Sequence, residues 1–238
     1  MKPRILMIFT IALMLMVQAC SGEPGESGAA GKNNKEQGDS LKTLADINTP
    51  IFWAEGHPGK LDRENWVIEV TGACDKPRSF TWNELNALPQ TEVDGRLTSV
   101  TRWSSRGLWK GVSLSTLLDE VGAKPSCQYL RFWSVGETYD TSIPIDVARM
   151  EKSLLAHTFN HQYLSEDYGG PVRAFIPYLW GYKSAKSVVK VELTESYVPG
   201  FWEKRGYTDS AEIEAGPCRD MNDGGAIKQI PGPGEVEF

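Results

Sequence analysis

The sequence predicts a mixed α+β domain, and two observations support this prediction. Short apolar runs with strand-like alternation are interleaved with short segments whose apolar residues recur at helical spacing. No repeat of fixed period is present, which excludes solenoids and propellers. A chain of 238 residues, 40% of them hydrophobic, is long enough to bury a sizeable core. We therefore expect a single domain in which strands and short helices alternate.

The first predicted elements are a strand and a short helix. The run WVIEVTG at Trp66–Gly72 alternates as a strand does, and the residues of Cys74–Pro77 favour a turn. In Phe80–Leu88 the apolar residues recur at helical spacing. Thr81 is a candidate N-cap and Pro89 ends the segment, so we predict a helix here.

A basic, tryptophan-bearing stretch follows at residues 97–114, and we predict a loop around Ser99. The loop runs into a second helix at Ser113–Val121, which begins with a serine cap, carries leucines on one face and stops at Gly122. The remaining predicted elements are a strand at Tyr129–Trp133, a third short helix at Ile145–Leu155, and strands at Val172–Ile176 and Ser187–Leu193.

Residues 1–19 have the pattern of a secretion signal. Two basic residues precede the uncharged apolar run Ile5–Val17, which is too short to span a bilayer comfortably. Ala19 before Cys20 resembles a bacterial lipoprotein box, in which the cysteine is acylated and becomes the mature N-terminus. This pattern predicts an extracytoplasmic protein, anchored by its lipid in the periplasm or at the cell surface. The alternative is an ordinary signal cleaved nearby, with Cys20 incidental.

Two further segments are predicted to lie outside the domain. Residues 21–40 carry no large apolar side chain and cannot bury enough surface to offset their ordering entropy, so we assign a flexible linker to residues 20–45. The domain then covers residues 46–208. Residues 209–238 are rich in glycine, proline and acidic residues, and we expect an extended tail over the surface.

Charge and cysteine content exclude several classes of function. The chain has 25 Lys and Arg against 31 Asp and Glu, so it is a poor partner for nucleic acid. Cys74, Cys127 and Cys218 have neither CxxC spacing nor a neighbouring histidine, which argues against a zinc site. We interpret them as buried or partly paired structural thiols. The sequence also lacks GxSxG, P-loop, GxGxxG and HExxH motifs.

Several phrases occur in one order across residues 50–207, and together they resemble a known family. They read FWAEGHPGKLDRENWVIEVTG, SVTRWSSRGLWKGVSLSTLL, YLRFWSVGETYDTSIPID, GGPVRAFIPYLWGYKSAKSV and PGFWEKRGY. They resemble the molybdopterin-binding oxidoreductases of the sulfite oxidase fold, especially the small bacterial members. The resemblance implies a mostly β, mixed α+β domain that binds one pyranopterin. The dithiolene of that pterin holds molybdenum, and a protein cysteine supplies the fifth ligand.

Ser99 is the main departure from the family pattern. The corresponding stretch of the family begins CVTRWS, and its cysteine sulfur binds the metal, whereas this chain reads SVTRWS. A serine hydroxyl is a harder and far less acidic donor than a thiol, and it binds a metal only if the metal removes its proton. The resemblance therefore makes Ser99 the candidate metal ligand, with loss of the ligand as the alternative.

One charged segment and one arginine are candidates to bind the cofactor phosphate. Gly181–Lys186 combines two lysines with a hydroxyl and small residues that let backbone approach an anion. The resemblance implies that Arg173 forms paired hydrogen bonds with phosphate or pterin oxygens. The alternatives are solvated lysines and a surface salt bridge. The residues of the segment that the resemblance assigns to the cofactor are Lys183, Ser184, Ala185 and Lys186.

The same resemblance assigns further cofactor-binding candidates. Ser134 corresponds to a small hydroxyl that lies near the cofactor in relatives, and His57 corresponds to the histidine of an Arg-Asn-His segment. Here Glu55 and Gly56 replace the arginine and asparagine, so a loop histidine in water is the alternative for His57. Tyr168 also departs from the pattern, because relatives usually carry histidine or asparagine at that position.

The resemblance further implies a cationic and aromatic pocket mouth. With Ser99, the catalytic candidates are Arg102 and Tyr139. Such a mouth suits a small oxyanion or a flat ring. The tryptophans expected beside them are Trp103, Trp109 and Trp180, with core packing as the alternative, and for Trp66, Trp82 and Trp202 core packing is the interpretation.

Three hypotheses about function follow. The first is an extracytoplasmic molybdenum oxidoreductase that moves an oxygen atom to or from sulfite or a sulfoxide and exchanges electrons with a further partner. The second is a non-catalytic lipoprotein that carries or stores a pterin and has lost the thiolate ligand. The third and weakest is an adhesion or scaffold module with an empty cleft.

Overall fold

Two β-sheets and several short helices make up residues 41–238, the part of the chain that the computed structural model describes. The predicted signal, Cys20 and most of the predicted linker lie outside these residues. In chain order the strands are β1 (Val67–Gly72), β2 (Arg78–Thr81), β3 (Gln90–Ser99), β4 (Trp103–Ser113), β5 (Tyr129–Ser134), β6 (Asp140–Pro144), β7 (Leu154–Phe159), β8 (Gln162–Tyr163), β9 (Arg173–Phe175), β10 (Val188–Thr194), β11 (Gly216–Asp220) and β12 (Ala226–Ile230).

The helices are short. The α-helices are α1 (Trp82–Ala87), α2 (Leu114–Val121) and α3 (Ile145–Ala148). Single 3₁₀ turns occur at Val135–Glu137, Glu166–Tyr168, Gly181–Lys183, Glu203–Arg205 and Met221–Asp223. No helix in residues 41–238 is long and apolar enough to cross a membrane.

The five-stranded sheet has the order β2–β1–β10–β5–β6, and only the β1–β10 pair is parallel. The seven-stranded sheet has the order β12–β11–β4–β7–β8, with β3 paired to β4 and β9 paired to β7. One edge of β4 pairs with β3 along its whole length. The other edge pairs with β11 near its start, in parallel, and with β7 near its end. The start of β4 therefore lies between β3, which precedes it in the chain, and β11 from the C-terminal segment.

Both sheets contribute to the main hydrophobic core. Ile68 and Phe132 of the five-stranded sheet belong to the same cluster of buried residues as Val112 and Leu155 of the seven-stranded sheet. Each fully buried side chain of this kind stabilises the fold by about 1.5–3 kcal/mol. A second cluster surrounds Trp109, whose ring stacks on the buried ring of Phe175 at a centroid distance of 4.4 Å.

Helix caps form as the sequence predicts. Thr81 and Glu84 form a capping box at the start of α1, in which each side chain accepts from the other residue's backbone N–H. Ser113 caps α2 by accepting from the backbone N–H of Thr116, and Gly122 ends that helix in the left-handed region with φ 63°. The predictions of α1, α2, β1, β5, β9 and β10 are confirmed to within a few residues.

The prediction of a loop around Ser99 is wrong, because most of residues 97–114 belong to β3 and β4. β3 and β4 form a long antiparallel hairpin whose register runs from Gln90 opposite Val112 to Ser99 opposite Trp103. The hairpin lacks a clear apolar alternation because it buries polar side chains that satisfy one another. The Thr98 and Ser104 hydroxyls, for example, lie 3.0 Å apart and are both buried.

The third predicted helix is also only partly correct. Helix α3 ends at Ala148, and Leu154–Phe159 forms β7, which pairs with β4, β8 and β9. Every residue of β7 is buried. A short strand that is buried on both faces has no alternation, so periodicity cannot distinguish it from a buried helix.

The segment predicted to be an extended surface tail is built into the seven-stranded sheet. β11 and β12 form a hairpin, and β11 extends the sheet beside β4. Cys218, Ile230 and Val236 of this segment are buried in the main core. At the other end of the domain, Leu44, within the predicted linker, is buried in the second cluster. Residues 41–238 form one compact unit.

Candidate functional site

A cleft of about 450 Å³ opens beside the turn between β3 and β4. Its walls come from segments that are far apart in sequence, which the two sheets bring together. The lining residues lie in segments 49–55, 97–103, 167–168, 181–186 and 202–207, together with Tyr139, Arg173 and Arg219. Seven residues that the sequence analysis assigned to the site are among them, namely Ser99, Tyr139, Tyr168, Arg173, Ser184, Ala185 and Lys186.

Arg173 is a buried cation in the wall of this cleft, with only 2% of its surface exposed. Its Nη1 donates to the carbonyl oxygen of Tyr168 at 2.7 Å and its Nη2 to that of Ser184 at 3.1 Å. Within the described residues, no carboxylate forms an ion pair with this guanidinium. Burial lowers the pKa of Arg173 to about 10, because a charge removed from water loses solvation.

Lys186 supplies a second cation to the same wall. Its Nζ donates to the carbonyl oxygen of Phe52 and lies 4.5 Å from the centroid of the Trp53 ring. Burial and, secondarily, the charge of Arg173 lower the pKa of Lys186 to about 7, while Glu55 acts in the opposite direction. Burial disfavours the charged form of both side chains, and a bound anion would stabilise both charges.

The loop from Gly181 to Lys186 is held close to the end of β3. A Cβ atom added at Gly181 would lie 3.2 Å from the carbonyl oxygen of Thr98, so glycine permits a close backbone approach here. The Ser184 hydroxyl accepts from the backbone N–H of Ile176 at 3.0 Å, and its own proton remains available to a ligand. The loop therefore offers a hydroxyl donor next to two cations.

Ser99 lies at the end of β3, where its side chain reaches the cleft beside Thr101. The two hydroxyl oxygens are 2.9 Å apart, and the Thr101 N–H donates to Ser99 Oγ at 3.2 Å. Cys74, Cys127 and Cys218 are unpaired and buried, burial raises the pKa of each thiol, and none of them lines the cleft. Residues 41–238 contain no cluster of three or more His, Cys, Asp or Glu that could hold a metal ion.

Tyr139 reaches the cleft, but its hydroxyl is already bonded. The phenol donates to the carbonyl oxygen of Tyr182 at 2.5 Å. Burial raises the pKa of Tyr139 well above its usual value, so the phenol stays neutral. The Tyr168 hydroxyl likewise donates to the carbonyl oxygen of Thr49 at 3.3 Å, which fixes this ring against the N-terminal segment.

Four of the predicted site residues do not line the cleft. His57 faces Asp167, with 3.1 Å between Nε2 and Oδ1. Arg102 turns away, because its Nη1 donates to the carbonyl oxygens of Glu214 and Ala215 at 2.9 and 3.2 Å. The other two, Ser134 and Lys183, are fully buried.

The buried pair Lys183 and Glu203 has a structural role. Lys183 Nζ contacts Glu203 Oε1 and donates to the carbonyl oxygen of Ser142 at 2.9 Å. Thr141 adds a further hydrogen bond to Glu203 at 2.8 Å. This pair joins the loop that carries Ser184 and Lys186 to the 3₁₀ turn that follows Trp202. Ser134 is different, because its buried hydroxyl has no partner among the described residues.

The aromatic residues at the mouth differ in part from those expected. Trp103 reaches the cleft, whereas Trp109 and Trp180 are buried in the core. Trp202, interpreted as a core residue, lines the cleft, and its ring stacks on Phe52 at a centroid distance of 6.2 Å. Glu55, Tyr207 and Arg219 also line the cleft, although the sequence did not predict this. Arg219 carried no sequence signal, because it falls in the segment predicted as a tail.

Comparison with known proteins identifies the family. Residues 54–202 match the family described as oxidoreductase molybdopterin binding domain. The chain is 31% identical over 159 residues to the uncharacterized oxidoreductase YuiH of Bacillus subtilis, which covers 66% of this chain and 80% of that protein. It is 32% identical over 156 residues to the putative protein-methionine-sulfoxide reductase subunit YedZ1 of Azospira oryzae, covering 66% of this chain and 59% of that protein.

Two more distant similarities extend this comparison. The chain is 27% identical over 161 residues to the protein-methionine-sulfoxide reductase catalytic subunit MsrP of Ralstonia nicotianae, covering 61% of this chain and 49% of that protein. The chain thus spans about half the length of that catalytic subunit. The crystal structure of the sulfane dehydrogenase SoxCD from Paracoccus pantotrophus matches with a TM-score of 0.57 and 20% identity, over 73% of this chain and 46% of that chain. This match confirms the predicted β-rich fold. Because the family match covers more than half of the sequence, the chain belongs to the oxidoreductase molybdopterin-binding domain family.

Proposed function

We propose that this chain holds a molybdopterin-type cofactor in the cleft and acts as an oxidoreductase that transfers an oxygen atom to or from a small substrate. The observation that supports this proposal is the buried guanidinium of Arg173, which faces the cleft without a carboxylate partner in the described chain. Leaving a buried charge unpaired costs several kcal/mol, about 3–5 kcal/mol in measured cases. An anionic ligand would remove this cost.

The residues of the cleft fit such a cofactor. Arg173 and Lys186 would hold its anionic phosphate, and the Ser184 hydroxyl and the backbone of Ala185 would contact its polar edges. A volume of about 450 Å³ lies within the range of about 300–1,000 Å³ that is usual for cofactor sites. When bound, the cofactor would supply two-electron redox chemistry at its metal. The protein's part is to bind and orient the group and to shape access to it.

A sulfoxide or a small oxyanion such as sulfite is the proposed substrate class. The names of the YedZ1 and MsrP relatives support a sulfoxide. Reduction of a sulfoxide takes two electrons and two protons and releases the sulfide and water, so an external electron partner is required. We further propose a lipid-anchored, extracytoplasmic location, because Ala19 and Cys20 follow a signal-like apolar run.

A cofactor measurement tests the proposal. The full chain is produced in a host that makes the cofactor, and molybdenum and extracted pterin are measured per chain. We expect pterin in the wild type and its loss in an Arg173→Met, Lys186→Met double variant. Arg106→Gln is the control, because Arg106 pairs with Asp94 on the surface, outside the cleft. A wild type that contains no pterin would refute the proposal.

The second candidate function is a non-catalytic pterin-binding lipoprotein, a carrier or store. The observation that favours it is the chemistry at the end of β3, where Ser99 and Thr101 offer hydroxyls and none of the described cysteines lines the cleft. The same measurement separates the two functions. Pterin together with molybdenum and turnover supports the oxidoreductase, whereas pterin without the metal supports the binding protein.

A further inference from the structure

Arg219 projects into the cleft from a part of the chain that lies beyond the matched family domain. It is an exposed residue of β11, and it lines the cleft together with Thr101 and Trp103. β11 pairs in parallel with the start of β4, so Arg219 is opposite Trp103, and its N–H donates to the Arg102 carbonyl oxygen at 3.0 Å. The family match ends at residue 202, so this arginine lies outside the matched segment.

The guanidinium of Arg219 is uncommitted. Among the arginines of residues 41–238, Arg219 alone makes no side-chain hydrogen bond, and it has neither an ion pair nor an aromatic ring beneath it. The acidic residues nearest to it in sequence have other partners. Asp220 forms a two-point ion pair with Arg96, Asp223 pairs with Lys228 at 2.8 Å, and Glu214 pairs with Arg102 at 3.4 Å. The five donors of this side chain are therefore free to bind a ligand.

The surroundings of Arg219 differ from those of the other two cations in the cleft. Arg173 and Lys186 are tied to backbone carbonyl oxygens of the protein. Arg219 lies on β11, in the same seven-stranded sheet as Arg173, but beside the turn that carries Ser99 and Thr101. Arg102, the arginine expected at this mouth from the sequence, points instead to Glu214 and Ala215. At this side of the cleft, the cation is therefore Arg219 and not Arg102.

We propose that Arg219 is a specificity-determining residue, which binds the anionic oxygen group of the substrate beside the Ser99 turn. This inference rests on the proposed function and narrows its substrate class. A planar guanidinium binds a sulfonate, sulfite or carboxylate group through two parallel hydrogen bonds, whereas an uncharged sulfoxide gains little from it. The substrate then carries an anionic oxygen group close to the atom that is oxidised or reduced.

The test uses the cofactor-loaded full chain and sulfate as a non-reacting probe. Sulfate affinity is measured by calorimetry at an ionic strength held constant with chloride. We expect Arg219→Gln to weaken sulfate binding at least about tenfold, and Arg219→Lys to keep part of the affinity because it keeps the charge but loses the paired hydrogen bonds. Arg106→Gln, which removes the same charge outside the cleft, should bind sulfate as the wild type does.

Two further measurements, the pterin content and the affinity for an uncharged probe, show whether the effect of Arg219→Gln is limited to anions. Arg219→Gln should keep the wild-type pterin content, and its affinity for dimethyl sulfoxide should equal that of the wild type. Unchanged sulfate affinity in a variant that keeps its pterin would overturn the inference alone. Loss of pterin from Arg219→Gln would place this side chain on the cofactor and would also overturn the inference. Absence of pterin from the wild type would instead overturn the proposed function, and the inference with it.

Discussion

Arg96 in β3 and Asp220 in β11 form a buried two-point ion pair, with N–O distances of 3.0 and 3.2 Å. Arg96 Nη2 also donates to the carbonyl oxygen of Phe238 at 2.8 Å. The side chains of Arg96 and Asp220 are 4% and 6% exposed, so water does not stabilise either charge. This pair joins the C-terminal hairpin to the strand that ends at Ser99.

Breaking this pair should strongly destabilise the domain. Arg96→Met leaves Asp220 buried and unpaired, and loss of one partner of a buried pair costs about 3–5 kcal/mol. The free energy of unfolding, measured by urea denaturation, should fall by that amount. Arg106→Gln is the comparison, since Arg106 and Asp94 are each 47% exposed and such surface pairs contribute at most about 1 kcal/mol. Equal effects of the two substitutions would contradict this account.

Anion affinity of the cofactor-free protein should fall as the pH rises through about 7. The pKa of Lys186 is lowered to about 7 by burial and by Arg173, so this lysine is charged below that pH and neutral above it. Because only the charged form attracts an anion, sulfate, whose own charge does not change over this range, should bind more tightly at pH 6 than at pH 8.5. Calorimetric titration with sulfate at several pH values measures this.

Lys186→Met supplies the control for this pH dependence. The variant should bind sulfate weakly at both pH values. Its sulfate affinity should no longer change between pH 6 and pH 8.5. A wild-type sulfate affinity that stays constant from pH 6 to pH 8.5 would show that Lys186 does not titrate in this range.

The sequence predicts the parts of this structure that depend on local signals. The capping box at Thr81 and the left-handed Gly122 mark their helix ends within a few residues, and the alternation of β1 identifies a half-buried strand. β3, β4 and β7 escaped prediction because their burial does not follow an apolar alternation. Which residues lie together depends on pairings between distant strands, and for this reason Arg219 could not be assigned to the cleft.

The same contrast holds for the charged site residues. Arg173 and Lys186 are assigned through the family resemblance of the phrase GGPVRAFIPYLWGYKSAKSV, and both line the cleft. Lys183, three residues before Lys186, points into the protein to Glu203, which is distant in sequence. Whether a lysine side chain on a short loop points into the protein depends on a partner of this kind. The composition of the loop does not reveal that partner.

The Lys183–Glu203 pair predicts a compensating double substitution. Lys183→Met alone leaves the Glu203 carboxylate buried and unpaired, which should cost about 3–5 kcal/mol of unfolding free energy. Lys183→Met together with Glu203→Leu removes both charges and should recover most of that loss. Urea denaturation of the two single variants and the double variant measures the coupling. Because neither side chain lines the cleft, the double variant should keep its pterin. Loss of pterin from a double variant that has recovered its stability would show that Lys183 contributes to cofactor binding.

Ser99→Cys should raise the molybdenum content of the chain produced in a host that makes the cofactor. Cysteine replaces an oxygen by a sulfur of similar reach, and a thiol loses its proton to a metal far more readily than an alcohol does. The variant should therefore retain more metal per pterin than the wild type, as measured by elemental analysis alongside pterin extraction. Thr101→Cys is the positional control, because its hydroxyl lies 2.9 Å from that of Ser99 in the same cleft. An equal rise in both variants would show that any thiol at this turn captures the metal, and no rise in either would argue that Ser99 does not occupy the ligand position.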